Sequence, residues 1–156
     1  MNDDLILLED DRQYAKRRIA ELEKQIQDLG PEFYEVFNQS SETWHDNAPF
    51  DALRDRQSVL DAELQSLKRM LRSSLPSVPR QKKGIVGIGS TVFLSDGRTY
   101  LIAGDWTPYA GAKTKDGAFI VSKNTPAASA LLGKKEGDQV VVTGKQFTIQ
   151  KIKTLG

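Results

Sequence analysis

Residues 40–51, SSETWHDNAPFD, separate two long stretches that carry the spacing of a helical seam. The segment holds three acids, the single histidine and one of the two tryptophans of the chain: Glu42, Asp46, Asp51, His45 and Trp44. A plain connection between helices uses Gly, Ser and Asn and does not place a large aromatic side chain in solvent. The segment therefore predicts the tip of a helical hairpin whose acidic side chains act on another molecule.

The stretch before the tip has apolar residues three and four positions apart, the a/d pattern of a coiled-coil seam. The seam positions are Leu5, Leu8, Ala15, Ile19, Leu22, Ile26, Leu29, Phe33 and Val36. Arg12 takes the one position in this series that is not apolar, and Gly30-Pro31 interrupts the stretch without shifting its phase. We expect one helix that is kinked or locally opened at Pro31. Three aromatic residues are expected to widen the seam before the tip: Phe33, Tyr34 and Phe37.

A second seam follows the tip. Its positions are Leu53, Gln57, Leu60, Leu64, Leu67 and Leu71. Asn47 suits the N-cap of a helix, Pro49 suits its first turn, and the Asp51 carboxylate complements the helix dipole. The second helix is therefore predicted over residues 48–72. Two seams on neighbouring stretches favour an antiparallel hairpin over residues 1–75, and a dimeric coiled coil is the alternative.

The remainder of the chain has a different texture. Residues 76–83 are predicted to be a linker, because this part of the sequence is rich in Pro and Ser, then basic, and has no periodicity. Residues 84–156 alternate β-prone runs with turn signals, which predicts a small α+β domain on a mostly antiparallel sheet. The predicted strands are 90–94, 99–103, 118–121, 139–143 and 146–152.

Local turn chemistry refines this prediction. The Asp96-Gly97 and Thr143-Gly144 pairs predict tight hairpins. Thr125 followed by Pro126 predicts the start of a short helix over 127–132, which Gly133 ends. Together with the hairpin, these elements give an α+β chain of two modules.

Composition narrows the function classes. The 156 residues are 38% hydrophobic and 28% charged, as in a soluble protein, and no apolar run approaches the roughly 20 residues of a membrane span. An acidic N-terminal sequence argues against a signal peptide, so a cytoplasmic protein is expected. The absence of cysteine excludes disulfides and thiolate chemistry, and one histidine leaves little scope for a histidine-built metal site. The net charge is −6 over residues 1–75 and +7 over 76–156, which suggests two modules with different partners.

Three segments resemble the Gre transcript-cleavage factors of bacterial RNA polymerase. WHDNAPFDALRDRQ is similar to the Gre tip, in which an acid, then Asn-Ala, then an aromatic residue introduces the second helix. VGIGSTVFLSDGRTYLIAG is similar to the first hairpin of the Gre C-terminal domain. NTPAASALLGKKEGDQVVV resembles the family's run of Ser-Pro, small residues, Leu-Leu/Ile-Gly-Lys, Gly-Asp and valines, and is the most specific of the three.

The resemblance implies a C-terminal domain with an FK506-binding-protein-like fold that docks at the rim of the polymerase secondary channel. The hairpin would enter the channel as a monomer and bring its tip to the polymerase active site and the nascent RNA 3′ end. There the tip acids would share a Mg²⁺ with the polymerase, which would hydrolyse its own backtracked RNA. Mg²⁺ prefers oxygen ligands, and two metals stabilise both the attacking and the leaving oxygen of a phosphoryl displacement. The chain would therefore not be an enzyme and would have no cofactor of its own.

The same resemblance assigns roles to particular residues. Asp46 and Glu42 would be the acids that assist the polymerase and hold the shared Mg²⁺. Beyond these acids, the residue types near the tip predict contact with RNA or polymerase for Trp44, His45, Asn47, Arg54 and Arg56. For Trp44 the alternative is that its ring folds back onto Phe50 and caps the hairpin. The lysines at 82, 83, 134 and 135 make the C-terminal half basic, which is compatible with binding to an acidic polymerase surface or with weak contact to the DNA backbone, in both cases without base specificity.

The tip departs from the family pattern. Aligned on Asn47-Ala48, the second tip acid falls on Asp46, but the first falls on Thr43, with Glu42 displaced by one residue. The next family acid is replaced by Pro49. Two interpretations stay open, because Gre homologues that enter the channel can stimulate cleavage or inhibit it.

A prolyl isomerase or chaperone is the rival function from another class. It would need a concave aromatic pocket in the C-terminal half, for which the sequence offers scattered candidates. They are Phe93, Tyr100, Trp106, Tyr109, Phe119 and Phe147.

Overall fold

A computed structural model describes residues 4–40 and 48–155 of the chain. In chain order its elements are α1 Glu9–Ser40, α2 Ala48–Arg72, β1 Thr91–Leu94, β2 Thr99–Ala103, β3 Phe119–Ser122, α3 Pro126–Leu131, β4 Gln139–Val142 and β5 Lys145–Lys153. They form two compact units. One takes in the described residues up to Arg12 together with those from Ser74 onward, and the other is Gln13–Ser73.

The boundary between the units differs from the predicted division at residues 75 and 84. The N-terminal segment belongs with the C-terminal unit, because the backbone of the segment is hydrogen-bonded to residues of that unit. Leu75 N donates to Leu5 O at 2.8 Å, and Asp105 N donates to Ile6 O at 2.7 Å. Ile6 N in turn donates to Asp105 Oδ2 at 2.7 Å. Leu5 and Leu8, predicted as the start of the seam, therefore precede the helix, which begins at Glu9.

Arg12 interrupts the apolar seam because its side chain makes hydrogen bonds to the residues that follow α2. Its side chain is buried and donates to Ser74 Oγ at 3.0 Å and to the carbonyl oxygen of Leu75. These bonds join the first turn of α1 to the chain that follows α2. Arg12 Nε has no hydrogen-bond partner among the described residues, but it lies 3.7 Å from Glu9 Oε1, so two hydrogen bonds and an ion pair compensate the burial of this charge.

In the helical unit, α1 and α2 pack along the predicted seams. Leu22, Leu29, Leu64 and Leu67 are buried, and the other seam positions from Ala15 onward are buried or half-buried. The helices run antiparallel, since Arg18 near the start of α1 pairs with Glu63 late in α2. Arg18 Nε and Nη2 lie 2.7 and 2.9 Å from the two Glu63 carboxylate oxygens. This bidentate hydrogen bonding lowers the pKa of Glu63.

The helix α1 is continuous through Pro31, as the uninterrupted heptad phase predicted. Pro31 has no N–H to donate to the carbonyl of Gln27, one turn earlier. Relative to alanine, a glycine costs about 1 kcal/mol and a proline about 3 kcal/mol inside a helix. The seam of α1 and α2 has to supply that free energy at Gly30-Pro31.

The C-terminal unit is built on a five-stranded sheet of order β3-β2-β1-β5-β4. Only the β2–β3 pair is parallel among the described strands, so the predicted, mostly antiparallel sheet is confirmed. Gly97 has φ 93°, and Thr143 and Gly144 have φ 51° and 81°, as the two predicted hairpin turns require. Thr125 Oγ1 accepts from Ala128 N and caps α3, which packs its buried Ala128 and Leu131 against one face of the sheet.

A buried carboxyl group lies at the start of α1. Asp11 is 3% exposed, Thr107 donates a hydrogen bond to its Oδ1 at 3.0 Å, and its Oδ2 has no hydrogen-bond partner in the described part of the chain. Burial raises the pKa of Asp11 from 3.8 to about 6, against the opposing effect of the Thr107 hydrogen bond. The folded protein therefore binds this proton more tightly than the unfolded chain.

Asp11 is expected to make stability fall as the pH rises. Its contribution is complete below pH 3.8 and is lost as the pH passes about 6. The loss amounts to about 3 kcal/mol across this window. Urea unfolding of wild type and Asp11→Asn at several pH values measures it, and the variant should lack this slope and be the more stable protein at pH 7. Asp116→Asn, an exposed carboxyl of the same unit, is the control. An unchanged pH slope in Asp11→Asn would contradict the assignment.

Candidate functional site

The candidate site is the end of the hairpin where α1 stops at Ser40 and α2 begins at Ala48. Seven residues, 41–47, join these two helix ends, and they lie outside the described residues. Most of the predicted site falls among them: Glu42, Trp44, His45, Asp46 and Asn47. The roles assigned to these residues stay predictions.

Near this segment, α1 and α2 pack against each other through aromatic side chains. The rings of Phe33 and Phe50 meet edge to face, with centroids 5.6 Å apart. Such pairs contribute about 1 kcal/mol beyond the area they bury. Pro49 and Asp51 occupy the first turn of α2, as predicted. The segment that carries the tip acids therefore starts and ends on helices that are packed together.

Two predicted contact residues, Arg54 and Arg56, lie in the described part of the site and are both exposed. The Arg54 guanidinium carbon is 6.0 Å from the centroid of the Phe50 ring, a cation–π arrangement. Arg56 Nη1 lies 3.7 Å from Glu32 Oε2 across the hairpin. Arg56 thus has an acidic partner, whereas Arg54 forms no ion pair with the part of the chain that the structure describes and lies beside an aromatic ring. Arg54 is the better placed of the two to meet an anionic partner.

The predicted widening of the seam by three aromatics is wrong for two of them. Phe33 is half-buried in the seam, but Tyr34 and Phe37 are 71% and 64% exposed. Phe33 and Val36 hold the inward positions, and one residue further along a helix turns a side chain by about 100°. The heptad phase could have shown this, because Tyr34 and Phe37 each follow a seam position by one.

A shallow depression of 420 Å³ lies beside the seam on the other flank of α1. It is lined by Glu32, Glu35, Val36, Pro49, Ala52, Leu53 and Arg56. Its walls are apolar and its rim carries two carboxylates and one guanidinium group. No group of three or more His, Asp or Glu side chains placed to hold a metal ion occurs in residues 4–40 or 48–155.

The C-terminal unit presents basic side chains on its surface, and it distributes three of its aromatic residues between its core and the opposite face of the sheet. The lysines at 82, 83, 134 and 135 are all exposed. Tyr100 and Phe147 are buried in the core, and Phe93 points to the opposite face of the sheet, because its neighbours Val92 and Leu94 are core residues. These three isomerase candidates therefore do not line one concave surface.

The helices within residues 4–40 and 48–155 include none with the length and hydrophobicity of a membrane-spanning segment.

Comparison with known proteins identifies relatives. Residues 81–154 match the family described as transcription elongation factor, GreA/GreB, C-terminal. The chain is 33% identical over 117 residues to transcription elongation factor GreA of Paracoccus denitrificans (strain Pd 1222), which covers 69% of this chain and 71% of that protein. It is 30% identical over 148 residues to transcription elongation factor GreA of Streptococcus uberis (strain ATCC BAA-854 / 0140J), covering 87% and 89%.

Among solved structures, the transcription factor Gfh1 aligns with 97% of this chain and 99% of its own, at 20% identity and a TM-score of 0.45. The two GreA proteins are similar over most of their length, and their similarity extends beyond the C-terminal domain. The family resemblance of the three sequence segments is therefore confirmed. The chain belongs to the GreA/GreB family of transcription elongation factors.

Proposed function

We propose that this protein regulates transcription elongation by binding RNA polymerase and inserting its helical hairpin into the secondary channel. Carboxylates of the tip segment would then modulate transcript cleavage at the polymerase active site. The proposal depends on the antiparallel packing of α1 against α2. The acidic segment 41–47 connects the end of α1 at Ser40 to the start of α2 at Ala48. At 1.5 Å per residue, the 25 residues of α2 give a rod of about 38 Å.

The tip chemistry follows from the donors that the segment offers. Glu42 and Asp46 are oxygen donors, the kind that Mg²⁺ prefers, and they are the residues that would hold the ion. Two carboxylates do not complete a coordination shell, so the remaining ligands would come from the polymerase and from water. The ion, once bound, would neutralise charge on the phosphate and activate water. The chain's own part is to deliver the two carboxylates and, through Arg54, to attract the phosphate backbone of the RNA 3′ end.

The C-terminal unit supplies the second half of the proposal. Its strand-rich fold is compact and its surface is basic, with a charge of +7 over residues 76–156. The N-terminal segment and the chain around Ser74 are hydrogen-bonded onto the same unit. We assign to this unit the docking at the rim of the channel. The hairpin and its acidic tip remain the part that reaches the active site.

Inhibition of cleavage is the second candidate, and the tip itself favours it. Thr43 stands where the family has its first acid, and Pro49 stands in place of a third. Pro49 lies in the first turn of α2, where it has no N–H and fixes the backbone. A carboxylate displaced by about 1 Å can lose about 100-fold in rate. A tip that blocks the channel without completing the metal site would inhibit.

The deciding experiment is RNA cleavage by a backtracked polymerase with and without the protein. Faster cleavage establishes a stimulating factor, and slower cleavage establishes an inhibitor that occupies the channel. Unchanged cleavage at concentrations that saturate polymerase binding, or no binding at all, would contradict the proposal. A peptide isomerisation assay on the full chain tests the rival function, for which no turnover is expected because Tyr100 and Phe147 are buried.

A further inference from the structure

The sheet of the C-terminal unit has a pocket on the face that points away from the core. Two rows of residues paired across strands form its floor, and partners in such rows point to the same face. In one row Phe93 lies between Thr99 and Lys151. In the other row Thr91 lies opposite Lys153. This outer pocket encloses 280 Å³ and is lined by Thr91, Phe93, Thr99, Thr114, Asp116, Ala118 and Lys153.

The wall of the outer pocket is a hydrogen-bonded turn in the loop between β2 and β3. Gly117 N donates to the carbonyl oxygen of Thr114 at 2.9 Å, and Ala118 N donates to Thr114 Oγ1 at 3.1 Å. Gly117 has φ 87°, which glycine adopts without strain. The pocket is therefore formed by paired strands and a closed turn, and its size at the small end of ligand sites suits one planar group.

Lysine side chains without acidic partners follow β5 beside the pocket. Lys151 and Lys153 are exposed, and in the part of the chain that the structure describes neither forms an ion pair. Residues two apart on one strand are separated by about 7 Å. Gly84 N donates to Thr154 Oγ1 at 3.3 Å, which brings the chain at the exposed Lys83 beside the end of β5. We call Lys151, Lys153 and Lys83 the basic row.

The carboxylates of Glu136 and Asp116 lie near the basic row. Glu136 Oε1 accepts a hydrogen bond from Ile152 N at 3.0 Å, so this carboxylate is held by the strand itself. Asp116 is exposed and lines the pocket. A carboxylate repels a phosphate group but accepts a hydrogen bond from the exocyclic amino group of a base. Lysines outside the pocket and one aspartate within it therefore fit a nucleotide better than a simple anion.

The floor of the pocket supplies an aromatic surface. Lys151 Nζ lies 5.7 Å from the centroid of the half-buried Phe93 ring, a cation–π contact. Because Lys151 is exposed, its long side chain is free to move off the ring. An exposed cation–π contact is weaker than the stacking of a nucleobase on an aromatic ring. A base would therefore displace Lys151 from Phe93, and the released ammonium group would meet the adjoining phosphate.

We propose that the outer pocket and the basic row bind a single-stranded nucleic acid, with one base stacked on Phe93 and its phosphates on Lys151 and Lys153. Aromatic and basic side chains on an open sheet face are an arrangement by which sheets bind unpaired strands. Asp116 favours a base that carries an amino group, such as cytosine, over thymine. The inference does not depend on the proposed function, because the site lies within the C-terminal unit and requires no polymerase.

Fluorescence anisotropy of labelled DNA oligonucleotides of about ten nucleotides, titrated with the full-length protein, tests the stacking. Single-stranded oligocytidine should bind wild type. Phe93→Leu keeps an apolar side chain on β1 and should bind about tenfold more weakly. Inorganic polyphosphate, a polyanion without bases, should bind both proteins equally. Equal affinity of the two proteins for oligocytidine, or the same loss with polyphosphate, would overturn the proposal.

Charge variants give a second measurement that leaves the ring in place. Lys153→Gln removes one phosphate contact and should lower the slope of log K against log[salt] by about 0.7. Lys145→Gln removes the same charge at the other end of β5, outside the pocket, and should bind like wild type. Equal effects of the two substitutions would mean that the strand binds to overall charge, and the site would be overturned.

Base and sugar preferences complete the test. Oligothymidine should bind more weakly than oligocytidine, and Asp116→Asn should remove the difference; an identical preference in this variant would contradict the assignment. Tighter binding of RNA than of DNA would indicate a contact to the 2′-hydroxyl group and a transcript as the ligand. Equal or tighter binding of DNA would indicate an unwound DNA strand. Failure of wild type to bind any of these oligonucleotides overturns the inference and leaves the proposed function intact.

Discussion

Replacing Asp46 by Asn is expected to return transcript cleavage by a backtracked polymerase to the rate of the polymerase alone, a change of at least about tenfold. Asparagine keeps the size of the side chain and removes the charge that the proposed metal site needs. If the protein stimulates cleavage, the rate falls to the unassisted value. If it inhibits because Asp46 holds the shared ion in the wrong place, the rate rises to that value, whereas inhibition by blockage of the channel alone would leave the rate low. The direction of the change therefore also assigns the activity.

Binding must be measured beside cleavage for this result to be informative. Asp46→Asn should bind polymerase like wild type, because the helices and the C-terminal unit are unchanged. Asp55→Asn is the matched control, since it removes an exposed carboxylate on α2 outside the tip. Glu42→Gln tests the displaced first acid in the same way. Cleavage that is unchanged in both tip variants, at saturating protein, would remove the tip carboxylates from the mechanism.

Gly104→Ala is expected to give the largest loss of stability. A Cβ at residue 104 would lie 1.9 Å from the carbonyl oxygen of Ile6 and 3.2 Å from the Cα of Leu7. These atoms belong to the backbone of the N-terminal segment, which cannot move aside as a side chain can. Its hydrogen bonds from Asp105 N and to Asp105 Oδ2 would be strained or broken. We expect a loss of about 3 kcal/mol in the free energy of unfolding, measured by urea denaturation.

Gly30→Ala provides a contrast of opposite sign. Gly30 lies in the interior of α1, its φ is not positive, and a Cβ there would meet nothing within 4 Å. Alanine should therefore stabilise the protein by about 1 kcal/mol through the higher helix propensity. A similar stability change in the two variants would mean that the segment around Ile6 is not packed against Gly104 as described.

The elements of the fold were predictable because their signals are local. The second helix was predicted over 48–72 and is found at Ala48–Arg72. The strand predicted at 99–103 is Thr99–Ala103, and the other strands shift by at most one residue at either end. Heptad spacing, Pro near a helix start and Gly in a tight turn each act within a few residues of themselves.

The candidate site was predictable in its chemistry but not in its geometry. The sequence alone identifies the carboxylates, the aromatic ring and the imidazole of residues 41–47. The comparison with GreA proteins supports their assignment to a transcription elongation factor. Which oxygen faces a metal ion is set by backbone angles within that segment and by the partner. Arg54 and Arg56 show the difference, since the sequence makes them equal and the structure pairs only Arg56 with Glu32 among the two.

Periodicity along one chain thus established where each helix and strand lies and which of its faces is apolar. The folded chain alone decided what covers those faces. Leu5 and Leu8 continue the heptad, yet backbone pairing with the chain near Leu75 draws them away from the seam. The buried Arg12 side chain bonds to Ser74, more than 60 positions away, and the buried Asp11 side chain bonds to Thr107, more than 90 positions away. Contacts at such separations depend on which burial and hydrogen bonding the whole fold favours, and no local pattern encodes that choice.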